Sequence, residues 1–507
     1  MAVDINWDPK HNWRLRFHLQ TPTGGLTDPN GLSQLNGVYH WFHQYTPRWP
    51  AVGHGWGHWT STDLINWTFH GEVIRPDCEL DRNGAYSGSA LVKDGKLWCY
   101  YTGNVLEPGD YDYDFSGRLA NENLVISEDG NNFSKKVCVL DNAGYPAYCS
   151  NHVRDPKVWE QDGFLHMLLG ARTMDSRGAV LLYRSSDGYT WELEGSATAY
   201  SKSGFGYMWE CPNVARLGNR EFLFVCPQGV PKQPFKYQNI HNCGYFSVDG
   251  KVIDLLGQDA DKMDATEPYA CFDENDFVET DYGFDFYCPQ IFEDEQGRVL
   301  YVGWIGLPDI EFQYETPTRE WMHTLTLPRE LSLNEAGRVC FWPVKETEAL
   351  RKAPVEFSAE AAPGATGYVG SQTTCDMFDV TGAQAAYFPN GTADVLIEAI
   401  QGEGRVIIGS DLELFLHGDM LELDFQSPSG RWRTNRRLPL SALSAGRVTD
   451  LRILVDTSVI EIYINGGEKT MTTRWYPLDI KNLYVTSTLQ AQYSAWEMGA
   501  FGFANVG

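Results

Sequence analysis

The chain has 507 residues, 43% of them hydrophobic and 21% charged, a globular composition that excludes a disordered, collagen-like or coiled-coil chain. Its 40 basic and 67 acidic residues give a net charge of −27, which disfavours nucleic acids and anionic membranes as partners and favours a small neutral substrate. The start of the chain lacks the apolar core of a signal peptide, and the 11 cysteines form no C-x-x-C pair. We therefore expect a cytoplasmic protein with reduced thiols.

A turn sequence recurs in the first two thirds of the chain. Each copy has a Ser two positions before an Asp, and three copies have an aromatic residue four positions after it: Asp63 with Trp67, Asp129 with Phe133, and Asp187 with Trp191, before a weaker copy at Asp249. Each copy follows a β-like run, which predicts a hairpin turn. The Asp residues lie 66, 58 and 62 positions apart, a spacing that fits somewhat long propeller blades. About 340 residues divided in this way give five or six blades.

Acidic residues occupy a similar position upstream of three of these turns. Asp28, Asp155 and Glu210 precede their turns by 35, 32 and 39 residues, and Ser87 lies 42 residues before the remaining one. In equivalent blades these residues fall near the first strand, which lines the central axis. The spacing therefore predicts that three carboxylates converge on one cavity.

The neighbours of these acids predict how they are held. Proline follows Asp28 and Asp155, which favours an extended backbone at both acids. Arg154 is expected to keep a neighbouring carboxylate ionised. Glu210 lies in the nearly uncharged stretch 204–214, so we expect burial to raise its pKa and suit it to proton donation. Carboxylates with opposed pKa shifts are what glycoside hydrolysis requires.

The last third of the chain has a different pattern. Fourteen of the 17 tryptophans precede residue 345, and a charged segment with a proline at each end follows at 343–354. In Val459 to Asn465, Ile460, Ile462 and Ile464 alternate with Glu461 and Tyr463, which predicts a strand with one buried and one wet face. Several such runs predict a β-sandwich. We expect domains at 1–345 and 356–507, joined by a linker at 346–355.

Several motifs resemble glycoside hydrolase family 32, which contains invertases, fructan hydrolases and sucrose-6-phosphate hydrolases. In chain order they are Thr27-Asp28-Pro29-Asn30-Gly31, Phe42-His43-Gln44-Tyr45, Trp56-Gly57-His58, Tyr86-Ser87-Gly88-Ser89, Arg154-Asp155-Pro156-Lys157, Glu210-Cys211-Pro212, Asp285-Phe286-Tyr287-Cys288-Pro289-Gln290 and Leu327-Pro328-Arg329-Glu330-Leu331. The resemblance covers nearly all of the first 345 residues and extends into the C-terminal part. It implies an all-β fold, a five-bladed β-propeller followed by a C-terminal β-sandwich.

The resemblance also implies roles for individual residues. Asp28 would be the nucleophile, Glu210 the general acid/base and Asp155 the transition-state stabiliser of a retaining hydrolysis that releases terminal β-fructofuranosyl units. The expected substrate-binding residues are Asn30, Gln44, Trp56, Tyr86, Ser87, Arg154 and Trp304. The resemblance implies neither a metal ion nor an organic cofactor.

Three functions and one non-catalytic alternative follow from this reading. The leading hypothesis is a β-fructofuranosidase, an invertase acting on sucrose and short fructo-oligosaccharides. A sucrose-6-phosphate hydrolase would need a basic pocket, for which Arg48 and His54 are candidates. Fructosyl transfer is a further alternative because Thr27 stands where the family usually has Asn. A non-catalytic carbohydrate-binding propeller is disfavoured because all three acids are present, and the sandwich offers a surface for self-association.

Overall fold

A computed structural model describes residues 13–48, 54–201, 205–257, 267–308, 320–359, 382–409, 412–425, 433–477 and 482–505. Within these ranges the chain is mostly β-strand, arranged in seven sheets of four to six strands. The same residues contain no helix with the length and apolar character needed to cross a bilayer.

In each of the first three sheets, four strands follow one another along the chain in antiparallel pairs. The first contains β1 (Gly24–Leu35), β2 (Val38–Thr46), β3 (Gly55–Ser61) and β4 (Asn66–Ile74). The second contains β5 (Ala85–Lys93), β6 (Lys96–Leu106), β7 (Arg118–Ser127) and β8 (Val137–Leu140). The third contains β9 (Cys149–Gln161), β10 (Phe164–Thr173), β11 (Gly178–Ser185) and β12 (Glu192–Ala199).

The next two sheets are less regular. The fourth is built from β13 (Met208–Leu217), β14 (Arg220–Gln228) and β15 (Gly244–Val248), then, after helix α1 (Val252–Gly257) and β16 (Ala270–Phe272), from β17 (Val278–Glu279). The fifth is built from β18 (Tyr287–Glu293), β19 (Val299–Ile305), β21 (Thr324–Leu325), β22 (Arg329–Leu333) and β23 (Val339–Pro343). Strand β16 pairs with β12, and β20 (Trp321–Met322) pairs with β1.

The first strands of these five sheets, β1, β5, β9, β13 and β18, contact one another in a closed ring. This ring defines a five-bladed propeller, in which each sheet is a blade and its first strand lines the axis. The predicted propeller is confirmed, and its blade number is five.

The predicted Ser-x-Asp turns connect the third and fourth strands of the first three blades. In each, the Ser hydroxyl donates to the Asp carboxylate at 3.0 or 3.1 Å, and that carboxylate accepts backbone N–H groups of the turn. These bonds stabilise the turn locally, which explains the recurrence. The prediction is wrong for the weaker copy, because Asp249 leads into α1 rather than into a strand.

Two further sheets form the C-terminal β-sandwich, and its residue pattern produces one shared core. One sheet contains β24 (Arg351–Pro354), β26 (Thr392–Gln401), β31 (Leu451–Asp456), β32 (Val459–Ile464), β33 (Lys469–Arg474) and β35 (Gln490–Met498); the other contains β25 (Gln384–Phe388), β27 (Gly404–Ile408), β28 (Leu412–His417), β29 (Met420–Phe425), β30 (Asn435–Pro439) and β34 (Leu483–Ser487). Ile453 and Ile462 of the first sheet and Val406 and Leu414 of the second belong to one buried cluster.

The sandwich packs against the propeller, and this contact corrects one prediction. Ile460, Ile462 and Ile464 are buried as expected, but Glu461 and Tyr463 are also fully buried. The prediction of a wet second face is wrong because this face of β32 meets the propeller. Strand β36 (Gly502–Asn505) then returns to the first blade and pairs in parallel with β4. Short 3₁₀ turns occur at Asn142–Gly144, Glu274–Asp276, Lys345–Leu350 and Leu440–Ala442.

Candidate active site

The inner strand of every blade is interrupted at an equivalent place. The pairing register shifts beside Asp28 in β1, Ser87 in β5 and Asp155 in β9, and directly after Glu210 in β13 and Tyr287 in β18. Bulges of this kind re-aim side chains and are common at functional sites. Here they bring together side chains from different blades, as the contacts below show.

The backbone at Asp155 departs from the prediction made from its sequence. A following proline favours an extended conformation, but Asp155 has φ +67°. The bulge overrides the local preference, and the Thr102 hydroxyl accepts the Asp155 backbone N–H at 3.0 Å. Cys211 and Cys288, at the corresponding bulges of the fourth and fifth blades, also have positive φ, +46° and +42°. Backbone strain is therefore concentrated at this end of the ring.

Asp28 lies partly exposed at the bulge of the first blade. The Ser87 hydroxyl donates a 2.6 Å hydrogen bond to Asp28 Oδ2. Burial raises the pKa of Asp28 to about 7, with further contributions from Asp155 and Glu210, although the Ser87 hydrogen bond opposes the rise. The Asp28 carboxylate is therefore fixed in one orientation. It interacts electrostatically with the two other acids.

Asp155, in the third blade, interacts electrostatically with Asp28 and is only 6% exposed. Its Oδ2 accepts the backbone N–H of Cys211 at 3.0 Å, which connects the third blade to the fourth. Burial raises the pKa of Asp155 to about 6; Arg154 opposes this rise and Glu210 adds to it. Asp155 is thus held rigidly, with its charge incompletely compensated.

Glu210 has a charged partner that the sequence did not predict. Arg154 of β9 donates from Nε to Glu210 Oε1 at 3.1 Å and also from Nη2, and the Tyr287 hydroxyl donates to Oε2 at 2.5 Å. The expectation of an uncharged environment for Glu210 is wrong, because the arginine comes from the neighbouring blade.

Three of the predicted substrate-binding residues lie close to Asp28. Ser87 bonds it directly, and Asn30 Oδ1 accepts the backbone N–H of Gly88 at 3.3 Å. Gln44 Nε2 donates to the Ala85 carbonyl at 3.0 Å. Asn30 Nδ2 is buried and has no hydrogen-bond partner among the described residues. A sugar hydroxyl would satisfy this donor.

The three predicted aromatic contacts differ in accessibility. Tyr86 is partly exposed, whereas Trp56 is fully buried and donates from Nε1 to the Tyr86 carbonyl at 2.9 Å. Trp56 therefore has no exposed face for a sugar in this structure and supports Tyr86 from behind. Trp304 is 3% exposed and packs edge-on against Tyr287, with its indole N–H unpaired among the described residues.

Sequence reasoning missed two groups of site residues. Tyr287 and Cys288 lie in the motif that begins at Asp285. Their place in the inner strand of the fifth blade could have assigned them to the site. The second group consists of Arg118, His152 and Arg172. Arg118 and His152 interact electrostatically with Arg154, and Arg172 interacts with His152. Of this group, only His152 lies near a motif, two positions before Arg154 in β9.

Three carboxylates and one arginine at the axis of a propeller define a site for acid/base chemistry on a polar substrate, and they define the class as a glycosidase. Residues 18–343 match the family model "Glycosyl hydrolases family 32 N-terminal domain", and residues 426–497 match "Glycosyl hydrolases family 32 C terminal". The chain belongs to glycoside hydrolase family 32, and it is a glycoside hydrolase.

Similar proteins extend over almost the whole chain. A sucrose-6-phosphate hydrolase of Bacillus subtilis (strain 168) is 33% identical, with 93% of this chain and 90% of the relative covered. A raffinose invertase of Escherichia coli is also 33% identical, with 92% and 90% covered. The solved sucrose-6-phosphate hydrolase of Lactobacillus gasseri is 26% identical and superposes with a TM-score of 0.77 over 98% of this chain and 97% of the other.

Proposed function

We propose that this protein is a β-fructofuranosidase that hydrolyses sucrose and related short fructosides with retention of configuration. The observation that carries the proposal is the meeting of Asp28, Asp155 and Glu210 at the propeller axis. The relatives named as a sucrose-6-phosphate hydrolase and a raffinose invertase support the same substrate class.

In the proposed mechanism, Asp28 and Glu210 divide the chemistry between them. Glu210 donates a proton to the glycosidic oxygen while Asp28 Oδ attacks the anomeric carbon, which breaks the bond to the leaving sugar and forms a fructosyl ester. Glu210, now ionised, takes a proton from water, whose oxygen displaces Asp28 from the same carbon. Fructose leaves in the configuration that it had in the substrate.

The free site contains carboxyl groups that titrate near neutral pH. Burial raises the pKa of Asp28 to about 7 and that of Asp155 to about 6. The proposed chemistry needs a negative charge on Asp28 and a proton on Glu210. Asp155, anchored by the Cys211 backbone N–H, would hold fructose hydroxyls and offset the positive charge of the ring in the transition state.

A cationic cluster, formed by two arginines with a histidine between them, favours a second candidate substrate, sucrose 6-phosphate. Arg118 Nε, His152 Nδ1 and Arg172 Nε are buried nitrogens without a hydrogen-bond partner among the described residues. Burial lowers the pKa of Arg118 and of His152, and the positive charge of Arg154 lowers both further. Asp114 accepts from Arg172 Nη1 at 2.9 Å and offsets part of the positive charge. A bound anion would offset the remainder.

The cationic cluster lies on the side of Glu210, where the leaving sugar would be placed. His152 and Arg154 are two residues apart in β9, so their side chains share a face. Arg172 lies over the ring of Tyr207, three residues before Glu210, with 4.8 Å between its guanidinium carbon and the ring centre. Of the earlier candidates, His54 is bonded to the Thr46 hydroxyl and Arg48 is exposed.

The deciding experiment compares kcat/KM for sucrose, sucrose 6-phosphate and 1-kestose. If the cluster binds phosphate, sucrose 6-phosphate is preferred by at least about tenfold, and Arg118→Ala removes most of this preference while Arg48→Ala does not. Equal losses on sucrose and sucrose 6-phosphate in Arg118→Ala would reject the phosphate role and leave sucrose as the substrate. No turnover of any fructoside would reject the proposed function itself.

Product analysis at high sucrose tests the transfer alternative. Thr27 directly precedes Asp28 and is partly exposed, so it borders the position of the second acceptor. Trisaccharide as the main product would identify a fructosyltransferase, whereas equal release of glucose and fructose supports hydrolysis.

Three further expectations remain proposals. The ten described cysteines are free thiols, which supports a cytoplasmic location. The rings of Tyr387 and Tyr484 pack in a tilted arrangement, 4.8 Å apart, on the edge strand of a sandwich sheet and its neighbour. This supports self-association there, which is testable by sedimentation. The last strand of the fifth blade, β23, ends at Pro343 and the first sandwich strand, β24, begins at Arg351, which supports a boundary near residue 345. The pairing of β24 with β35 assigns residues 351–354 of the expected linker to the sandwich.

A further inference from the structure

Four buried cysteines form a chain of thiols behind the catalytic acids. Cys226 and Cys243 hydrogen-bond to each other, with 3.1 Å between their sulfur atoms. The sulfur atoms of Cys211 and Cys288 lie within 4.8 Å of each other. Burial and, to a smaller extent, the neighbouring Cys211 and Cys226 raise the pKa of the Cys288 thiol. The four cysteines come from β13, β14 and β18 and the segment before β15. This thiol chain begins next to the acids, since Cys211 Sγ lies 3.6 Å from Asp155 Oδ2.

One end of the thiol chain forms a ligand set with Asp28. A carboxylate oxygen of Asp28 and the sulfur atoms of Cys211 and Cys288 all lie within 4.8 Å of one another. Around a tetrahedral zinc ion, with bonds of about 2.0 to 2.3 Å, ligand atoms are separated by roughly 3.3 to 3.8 Å. Small side-chain rotations would therefore close this triangle around a cation. Asp155 Oδ2, beside Cys211 Sγ, is positioned to complete the coordination.

The charge of the cavity favours a cation. Asp28, Asp155 and Glu210 are compensated by Arg154, whose described contacts go to Glu210 and Asp155 rather than to Asp28. Thiolate sulfur selects soft or borderline metals such as zinc and cadmium over magnesium. A cation at this position would neutralise charge that no described residue near Asp28 compensates.

A second ligand cluster in the same molecule provides an internal contrast. Asp77, Cys78 and Asp81 also place three ligand atoms within 4.8 Å of one another. There, however, Lys136 Nζ lies 2.6 Å from both carboxylates and supplies the positive charge. The cluster around Asp28 has two thiols and, among the described residues, no such ammonium group.

We propose that Asp28, Cys211 and Cys288 form an inhibitory binding site for a thiophilic divalent cation of the zinc and cadmium class. Binding forms two metal–sulfur bonds and one metal–oxygen bond and releases the two thiol protons to solvent. The cation occupies the carboxylate that attacks the substrate, so binding and turnover exclude each other. The inhibitory part of the inference rests on the proposed function, whereas cation binding does not.

Titration of the reduced protein with cadmium chloride tests binding without substrate. We expect the ultraviolet absorption of cadmium–thiolate bonds to saturate at one cation per chain at this site. Cys288→Ser and Cys211→Ser each weaken binding at least about tenfold, because one thiolate ligand is lost. Cys78→Ser is the matched control and leaves this binding unchanged. Equal affinity in Cys288→Ser and wild type, or no cadmium–thiolate absorption in the folded wild-type protein, would overturn the site.

Inhibition by zinc chloride tests the consequence for activity, with each variant normalised to its own metal-free rate. We expect inhibition competitive with sucrose, an inhibition constant at least about tenfold higher in Cys288→Ser, and no inhibition by magnesium chloride. Inhibition that is independent of sucrose concentration would contradict a cation on Asp28. Cadmium binding by a protein that hydrolyses no fructoside would support the metal site and reject the proposed function.

Discussion

Two buried charge clusters in this molecule are organised in opposite ways. At the propeller axis, Asp28, Asp155 and Glu210 share one cation, Arg154. Burial is there the main cause of the raised pKa values of Asp28 and Asp155. Keeping these acids ionised costs free energy, and interactions with the surrounding residues do not offset this cost.

The cluster between propeller and sandwich is balanced. His18 bonds Asp456 and Glu461 at 2.8 Å each, and Arg329 pairs with Glu461 at 2.5 Å. Burial alone would raise the pKa of Glu461, but Arg329 and His18 outweigh it and lower the pKa to about 2. Asp285, held by two arginines, also has its pKa lowered to about 2 against the effect of burial.

We infer from this difference that the axial cluster serves chemistry and the interface cluster serves assembly. Unbalanced acids can exchange protons near neutral pH, which acid/base catalysis requires. Balanced acids keep their charge over the whole physiological range and fix one domain against the other. Substitutions should therefore affect activity at the axis and stability at the interface.

Asp28→Asn should remove catalysis at the axial cluster without lowering stability. Loss of the nucleophile lowers kcat by at least about 10⁴-fold. The melting temperature should not fall, because a carboxylate whose folded pKa is raised costs stability once it is ionised. Steady-state kinetics and thermal unfolding measure the two effects, with Asp77→Asn at the exposed surface as control. Turnover near the wild-type rate would exclude Asp28 as nucleophile.

Asp285→Asn should have the reverse effect. It leaves Arg433 and Arg474 buried without their carboxylate, which costs about 3–5 kcal/mol of unfolding free energy. Denaturant unfolding measures this loss, and Asp419→Asn in an exposed turn is the control. The folded fraction should retain much more activity than Asp28→Asn. An unchanged unfolding midpoint would contradict the structural role of Asp285.

The stability of the interface should depend on pH through His18. Burial alone would lower the pKa of His18, but Asp456 and Glu461 raise it to about 9. The contribution of this group is therefore fully present below about pH 6.5 and lost as the pH rises to about 9, by up to about 3 kcal/mol. His18→Gln should flatten the melting temperature over this range. A wild-type profile that rises between pH 6.5 and 9 would argue against protonated His18.

The smallest expected effect concerns the acidic side of the pH profile of kcat/KM. Since Asp28 must be ionised to attack, kcat/KM should fall as the pH falls through about 7. The Ser87 hydrogen bond lowers the pKa of Asp28, so Ser87→Ala should move this side of the profile upward by about one pH unit. Ser89→Ala, in the same strand but bonded to the Pro156 carbonyl, is the control. A downward shift in Ser87→Ala would contradict the assignment.

The sequence predicted the propeller and the meeting of its acids because both depend on a repeat. Equivalent blades place residues such as Asp28 and Asp155 on the axis whatever the detailed contacts are. The contact between Arg154 and Glu210 could not be read in the same way, since it joins two blades through side-chain geometry. The positive φ of Asp155 arises from the bulge and is invisible in a local preference for extended structure.

Local sequence patterns also could not predict the interface between the propeller and the sandwich. The alternation of Ile460, Glu461 and Ile462 is typical of a half-exposed strand, and only the docked propeller explains why Glu461 is buried. Cys288 lies in a motif, but its proximity to Cys211 depends on the closure of the ring between the fourth and fifth blades. Long-range packing therefore determines what the sequence pattern leaves open.

The nucleophilic role of Asp28 is the central claim, and the anomer of the fructose first released from sucrose tests it most directly. Time-resolved NMR during early turnover should show β-fructofuranose, because displacement by Asp28 and then by water inverts the anomeric carbon twice. Initial release of the α-anomer would mean a single displacement by water and would contradict the account.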